Sequence, residues 1–263
     1  MKRIFCFLLV LTLFASCEKN ITFNPSEPVF KYVIEGGLSN ESGSCKVIIS
    51  QTKIFKDNNQ LNPVSGALVQ IEHNGITYNL TEGSKGVYEQ SQLKGVPGDT
   101  YKLLVVVSGE NFSASSTMPQ PVPFLDFTLQ ASDYKPSRVT PQIRFRDIDG
   151  IKNYYWFQQF INDKLQRQYK VFNDEFSSGQ EISSYLVFAP YNQDHSEDII
   201  KGDRLTAEMH CIDAAVYTYL YGLLNADGSG GGAASANPLS NISGGALGFF
   251  SAHTVERKSI VIP

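Results

Sequence analysis

The side chains that could do chemistry in this chain are few and widely scattered. The four histidines are His73, His195, His210 and His253. None of them has the spacing to another His or Cys that a zinc site uses. A hydrolase or transferase needs a nucleophile, a base and an orienting group brought together. No such set stands out, so the sequence predicts a protein that is not an enzyme and holds neither cofactor nor metal.

Some segments leave an alternative open. His73 lies beside a predicted turn, where a solvated surface position is expected. The segment Asp147–Gly150 is similar to the start of a calcium-binding loop, but its glycine comes too early. Gln158 also stands where the bidentate Glu of such a loop belongs. A turn between two strands explains the same residues. An enzyme would require His195 or His210 beside acidic groups in a cleft.

The densest aromatic run is Tyr154, Tyr155, Trp156 and Phe157. In a strand, successive side chains point to opposite faces, so one pair would pack in a core and the other would be exposed. Exposed rings could stack on a sugar or fill a pocket of a partner protein. These four residues are the candidate ligand or partner contacts, with the alternative that both pairs are covered.

The N-terminus has the three-part layout of a secretory signal. Two basic residues precede an apolar run that ends at Phe14, and the small residues Ala15 and Ser16 precede Cys17. The run is too short to span a bilayer, which takes about 20 helical residues. A cysteine after two small residues predicts a lipoprotein signal peptide over residues 1–16, with the lipid attached to Cys17.

Acyl chains on Cys17 would hold the protein on a membrane, since each buried methylene contributes about 0.8 kcal/mol. Residues 17–28 lack periodicity and are expected to form a flexible tether. Loss of Lys2 and Arg3 with the signal changes the formal charge from −4 to −6. No basic patch suits a nucleic acid backbone, so nucleic acid is excluded as a partner.

The elements that must position these residues are mainly strands. Over residues 29–118, β-branched and aromatic runs alternate with turn residues, as in a sandwich. The clearest signal is Ala67–Leu80, in which Asn74 and Gly75 accept the positive φ angles of a hairpin turn. We predict an immunoglobulin-like or prealbumin-like β-sandwich in this first half.

A second β-rich domain with one helix is predicted over residues 124–263. The prolines in residues 119–123 exclude helix and remove ladder donors, so this segment is predicted to be a stiff linker. Asp213 can cap a helix near residues 213–225, and apolar side chains recur there at helical spacing. A Gly- and Ser-rich loop follows and includes Gly228–Gly232. The predicted strands are residues 142–146, 154–161, 165–172, 185–189, 204–212 and 259–262.

Cys45 and Cys211 fall in different halves of the chain. A disulfide between them could form outside the cytoplasm. Two buried free thiols are the expected state, because free cysteine is among the most buried residue types.

Several turn and strand segments follow one another in a specific order along the chain. They are Cys17–Glu18, Tyr32–Gly36, Pro63–Ala67, Gly86–Tyr88, Gly98–Tyr101, Asp147–Tyr155, Phe172–Phe176 and Asn237–Phe250. In this order they resemble the Bacteroidetes lipoprotein family catalogued as domain of unknown function 4249, over nearly the whole mature chain. The resemblance supplies no catalytic residues. It implies an outer-membrane or periplasmic lipoprotein, often encoded beside TonB-dependent receptors.

The lipid anchor and this resemblance together predict a non-enzymatic accessory lipoprotein of the cell envelope. Its expected place is the outer membrane, lipid-anchored on the periplasmic or the cell-surface face. Its expected partner is an outer-membrane transporter barrel of the TonB-dependent type, or the ligand of that transporter. The alternative is a surface glycan-binding or adhesive module.

Overall fold

A computed structural model describes residues 30–52, 62–131, 139–188, 199–226 and 237–263. Within these ranges the chain is mainly β with one helix, as the sequence predicts. The predicted signal, Cys17 and the tether lie outside the described residues. So do His195 and the Gly228–Gly232 loop. No helix in the described part is long and apolar enough to cross a membrane.

The strands before the proline-rich segment are β1 (Tyr32–Ser39), β2 (Cys45–Gln51), β3 (Asn62–Pro63), β4 (Leu68–His73), β5 (Ile76–Asn79), β6 (Thr81–Ser84), β7 (Val87–Gln90), β8 (Thr100–Val107) and β9 (Glu110–Thr117). The elements after it are β10 (Phe124–Ala131), β11 (Val139–Arg146), β12 (Tyr154–Ile161), β13 (Lys164–Asn173), β14 (Glu181–Tyr185), β15 (Arg204–Ile212), α1 (Ala214–Ala226) and β16 (Leu247–Val261).

Within the described ranges these strands form three sheets. A large sheet has the order β13-β12-β15-β16-β1-β2-β7-β6, with β3 paired to β2. A first small sheet has the order β5-β4-β8-β9, and a second small sheet has the order β10-β11-β14. Each small sheet shares a hydrophobic core with one part of the large sheet. The molecule is therefore two β-sandwiches that share one continuous sheet.

β16 connects the two sandwiches. Residues 247–253 pair in parallel with β1, and residues 254–261 pair antiparallel with β15. The approach to β1 requires glycine at Gly248, where φ is 101°. A Cβ there would lie 2.0 Å from the carbonyl oxygen of Ile34. The final strand was predicted only at residues 259–262, and it begins much earlier.

Two hydrophobic cores follow from this topology. The first core contains residues from β1, β2, β4 and β8, among them Ile34, Val47, Ile71 and Leu103. Phe250 of β16 also belongs to the first core, although the sequence assigned its segment to the second domain. The second core contains residues from β11, β12 and β15, among them Phe145, Tyr155, Phe157, Leu205 and Ala207.

Two local predictions are confirmed. Asn74 and Gly75 have φ angles of 49° and 76° in the turn between β4 and β5, as a tight hairpin requires. At the start of α1, the backbone N–H of Val216 donates to Asp213 Oδ1 at 2.9 Å. This bond satisfies one of the free donors at the helix N-terminus. A third cluster packs Val216, Tyr219 and Leu220 of α1 against the large sheet.

The predicted strand at residues 185–189 is wrong in its position, because β14 ends at Tyr185. Leu186 and Phe188 are nonetheless buried, so their apolar character reflects packing in the second core and not ladder pairing. Cys45 and Cys211 are buried free thiols among the described residues, one in each core. Burial raises the pKa of Cys45 to about 12, so this thiol stays protonated.

Candidate partner-binding site

The aromatic run on β12 divides between two faces of the large sheet. Tyr155 and Phe157 are completely buried in the second core, so neither is available to a partner. Tyr154 and Trp156 lie on the opposite face and pack against the cluster that contains α1. The predicted alternation is therefore present, and only Tyr154 and Trp156 remain candidate contact residues.

Trp156 is largely enclosed by other rings. Its ring centroid lies 4.8 Å from that of His210 and 6.4 Å from that of Tyr169. The indole Nε1 is buried, and no described group accepts a hydrogen bond from it. Trp156 thus packs between α1 and the sheet, and its position there is structural.

Tyr154 begins a short line of tyrosines that reaches the surface. Its ring centroid lies 5.0 Å from that of Tyr217, and Tyr217 lies 5.7 Å from Tyr221. Tyr217 and Tyr221 are one turn apart on α1, which places both side chains on the same side of the helix. Tyr221 is 53% exposed. The sequence drew attention to Tyr154 but not to its two partners, because helical spacing alone also describes a buried face.

Two loops beside this line expose apolar side chains. Ile151 lies in the loop between β11 and β12, and Phe176 lies in the loop between β13 and β14. Ile151 is 56% exposed and Phe176 is 89% exposed. Large apolar side chains that cluster on a surface mark interaction sites, whereas single exposed ones are common. We use the name apolar patch for Ile151, Tyr154, Phe176, Tyr217 and Tyr221.

Buried carboxylates hold the two loops together. Asp147 Oδ1 accepts a hydrogen bond from the hydroxyl of Tyr155, and its Oδ2 accepts one from the N–H of Gly179 at 2.9 Å. Asp174 Oδ2 accepts a bond from the N–H of Asn153 at 2.9 Å. Asp147 and Asp174 are 4% and 7% exposed. We use the name carboxylate clamp for these two aspartates and their donors.

The clamp accounts for the segment that is similar to a calcium-binding loop. Both oxygens of Asp147 accept bonds from protein donors. Ser178 Oγ accepts a bond from the N–H of Gly150 at 3.2 Å and lies 3.4 Å from Asp149 Oδ1. The turn interpretation therefore describes these residues. Across the described ranges, no group of three or more His, Cys, Asp or Glu side chains could hold a metal.

The apolar patch has an acidic surround. Glu175 and Asp149 are exposed beside Phe176 and Ile151, and Lys152 is the one basic side chain on the two described loops, residues 147–153 and 174–180. Burial raises the pKa of Tyr217, and the nearby charges of Tyr221 and Glu175 raise it further. The Phe176 loop follows Asn173, which is the ladder partner of Tyr154, so the loop begins beside the tyrosine line.

A second polar cluster lies where β16 changes partner. His210 Nε2 lies 3.4 Å from Glu208 Oε2, and its ring centroid lies 4.8 Å from that of His253. Arg257 forms ion pairs with Glu208 and with Glu41. Burial is the first cause that lowers the pKa of both histidines. His210 is only 4% exposed, so this cluster offers a substrate no access to its imidazole.

His73 is covered more than the sequence indicates. Its ring stacks on Tyr101 with centroids 4.4 Å apart, and its Nε2 lies 2.7 Å from Asp99 Oδ2. The side chain is 13% exposed, so the expectation of a solvated surface residue is wrong. The cause is the neighbouring turn before β8, which folds back over the hairpin and could not be placed from local sequence.

Comparison with known proteins assigns this chain to a family of unknown function. Residues 18–259 match the family described as "Domain of unknown function (DUF4249)". No curated protein matches the sequence. A crystal structure of the chicken CNTN1 FN1–FN3 domains is 13% identical, covers 69% of this chain and 60% of its own, and has a TM-score of 0.25. This chain thus spans less than two thirds of that structure.

Proposed function

We propose, on the premise that this chain belongs to the DUF4249 family, that it is a lipid-anchored accessory protein of the cell envelope that binds a protein partner. The observation that carries the proposal is the apolar patch, in which Phe176 is 89% exposed. A side chain of this size leaves about 1.5–3 kcal/mol of burial energy unused when it remains in water. A partner that covers the patch would gain this energy.

The lipid anchor is the second part of the proposal. It is supported by the small residues Ala15 and Ser16 before Cys17 and by the short apolar run that precedes them. More than one acyl chain is needed for stable attachment, since a single chain binds a membrane only marginally. The partner we propose is an outer-membrane transporter barrel of the TonB-dependent type, or the ligand of that transporter.

Metabolic labelling with an alkyne fatty acid tests the anchor. The full precursor should incorporate the label and sediment with membranes, whereas Cys17→Ala should lose the label and leave the membrane fraction. Cys6→Ala is the matched control, because Cys6 lies in the apolar run of the signal. Equal labelling of Cys17→Ala and the unaltered protein would overturn the lipid assignment.

Recovery of the unaltered lipoprotein from gently solubilised membranes tests the partner. A β-barrel protein should elute with it in a fixed ratio after chemical cross-linking in the intact cell. Recovery of the lipoprotein alone, without any barrel, would contradict the proposed function.

A surface glycan-binding module is the second candidate. It is favoured by the tyrosine line, since Tyr217 and Tyr221 lie nearly parallel, with 21° between their ring planes. Aromatic rings with an exposed face can stack on sugars. Tyr221→Ala should then abolish retention on immobilised cell-surface polysaccharide, whereas Tyr185→Ala, at similar exposure, should not. Equal retention of both variants would remove this candidate.

A further inference from the structure

We propose, building on the function above, that Phe176 inserts into an apolar socket of a protein partner whose rim carries Lys and Arg side chains. The contact is the apolar patch. Phe176 is the proposed anchor because it is the most exposed residue of the patch, and Ile151 lies on the loop that is joined to its own. Binding energy at protein interfaces concentrates in a few such anchors, with the surrounding contacts serving to exclude water.

The first argument is that two large apolar side chains are exposed to solvent. Phe176 is 89% exposed and Ile151 is 56% exposed, on neighbouring loops. The loops are joined directly, because the N–H of Gly150 donates to Ser178 Oγ at 3.2 Å. Apolar side chains exposed on two joined loops offer a protruding surface that a concave socket can cover.

The second argument is rigidity. Asp174 binds the N–H of Asn153, and Asp147 binds the N–H of Gly179, both at 2.9 Å. Each bond ties one of the two loops to the buried clamp. A loop whose backbone is already fixed loses less conformational entropy on association, which favours affinity. Phe176 is therefore displayed by a fixed support and not by a loose loop.

The third argument is charge, and it selects the kind of partner. The exposed Asp149 and Glu175 outweigh Lys152 at the patch, and the whole chain has a formal charge of −4. A second copy of this chain would bring the same acidic surround and be repelled. An anionic lipid surface would be repelled as well. A basic rim on a protein is the complementary surface, because opposite charges steer encounter and fix orientation.

Photo-cross-linking in the intact cell envelope tests the contact. A benzoylphenylalanine placed at Phe176 should form an adduct with a membrane protein, at a peptide that contains apolar residues flanked by Lys or Arg. The same probe at Ile76, which is as exposed as Ile151 at 56% but lies on the first sandwich, should form no such adduct. Adducts with phospholipid only, or with a second copy of the chain, would overturn the proposal.

Matched substitutions give an independent measurement. Phe176→Ser should reduce the recovered partner about tenfold or more, as removal of an interface anchor does. Ile76→Ser should leave recovery unchanged. Glu175→Lys should weaken recovery as well, and raising salt from about 0.1 M to about 0.5 M should do the same to the unaltered protein.

The outcomes separate the two proposals. If the unaltered protein recovers a barrel and Phe176→Ser recovers as much, the anchor assignment fails and the accessory function stands. If neither recovers a barrel, the accessory function fails. Recovery that is insensitive to both salt and Glu175→Lys would overturn the basic rim. Circular dichroism of Phe176→Ser and Glu175→Lys should match the unaltered protein, because both positions are exposed.

Discussion

Glu82 in the first sandwich and Asp147 in the second bind turns in opposite surroundings. Glu82 accepts bonds from the N–H groups of Gly66 and Gly86, at 3.0 and 2.9 Å. Asp147 accepts one from the N–H of Gly179. Glu82 lies at the surface, partly covered by the turns that it binds, whereas Asp147 is 4% exposed.

The difference in exposure between Glu82 and Asp147 determines how much stability is lost when a hydrogen bond to the carboxylate breaks. Glu82 is partly exposed, so water can replace it at the exposed residue Gly66 when that bond breaks, whereas Gly86 is buried. Water cannot reach the completely buried hydroxyl of Tyr155 without opening the core, although Gly179, the other donor to Asp147, is exposed. A buried donor without an acceptor retains its full desolvation cost, of about 1–3 kcal/mol per group. Loss of Glu82 is therefore expected to destabilise the protein less than loss of Asp147, which would leave the buried hydroxyl of Tyr155 without an acceptor.

The largest expected effect is that of Asp147→Ala. The substitution leaves the hydroxyl of Tyr155 and the N–H of Gly179 without an acceptor. We expect the free energy of unfolding to fall by about 1–3 kcal/mol, because the buried hydroxyl of Tyr155 loses its acceptor. Urea denaturation followed by tryptophan fluorescence measures this change.

Asp149→Ala is the matched control, because Asp149 lies two residues away and is exposed. It should change the free energy of unfolding by less than about 0.5 kcal/mol. Tyr155→Phe should cost less than Asp147→Ala, since it removes a donor and leaves Asp147 bound to Gly179. Equal costs for the two aspartate substitutions would show that the buried bonds of Asp147 add nothing beyond those of an exposed carboxylate.

The histidine pair His210 and His253, where β16 changes partner, should give an effect on stability that is intermediate in size and depends on pH. Glu208 and Arg257 face His210, together with His253, and Glu41 lies behind Arg257. Burial lowers the pKa of both histidines below 6.5, so the unfolded chain binds protons more readily than the folded one. Stability is therefore complete above pH 6.5 and should decrease as the pH falls below it.

Urea midpoints measured from about pH 7.5 to about pH 5.5 check this prediction. The midpoint should fall across the window in the unaltered protein and fall less in His210→Gln, which cannot gain a proton. His73→Gln serves as the comparison at the other end of the molecule. If the urea midpoint changes with pH to the same extent in the unaltered protein and in His210→Gln, the pH dependence does not arise from His210.

The smallest expected effect is that of Glu82→Gln. The N–H groups of Gly66 and Gly86 are the leading cause that lowers the pKa of Glu82 from 4.5 to about 2. Its contribution to stability is therefore present above pH 4.5 and is lost as the pH falls toward 2. The Tm of the unaltered protein should fall more steeply across this window than that of Glu82→Gln. If the Tm of both proteins changes with pH in the same way, the hydrogen bonds of Glu82 have no measurable effect on stability.

Local patterns predicted the elements that depend on local interactions. The Asn74–Gly75 turn, the Asp213 cap and the bounds of β12 and β15 follow from residues within a few positions of each other. In each case the residues that determine the element lie within one short segment. Packing against distant parts of the chain therefore did not alter these predicted elements.

Features that depend on distant partners could not be predicted. Read from the sequence alone, Gly244, Gly245 and Gly248 favour a loop. The first residues of β16 form a strand because β1 lies beside them, and β1 is distant in sequence. Phe176 reads as an ordinary apolar residue until its loop is placed at the surface. Asp147 reads as a possible metal ligand until its donors are known. The sequence located Tyr154 because alternation is local, but its tyrosine partners come from α1.

The pairing of β1 with β16 also determines when the fold can be completed. Among the described elements, the first strand along the chain, β1, has as its parallel neighbour the last one, β16, so the two are far apart in sequence. Such high contact order makes folding slow, because the loop must close before the contacts form. The first sandwich thus stays without this strand until β16 has been synthesised. For the proposed exported precursor, this delay keeps the chain unfolded while it still has a membrane to cross.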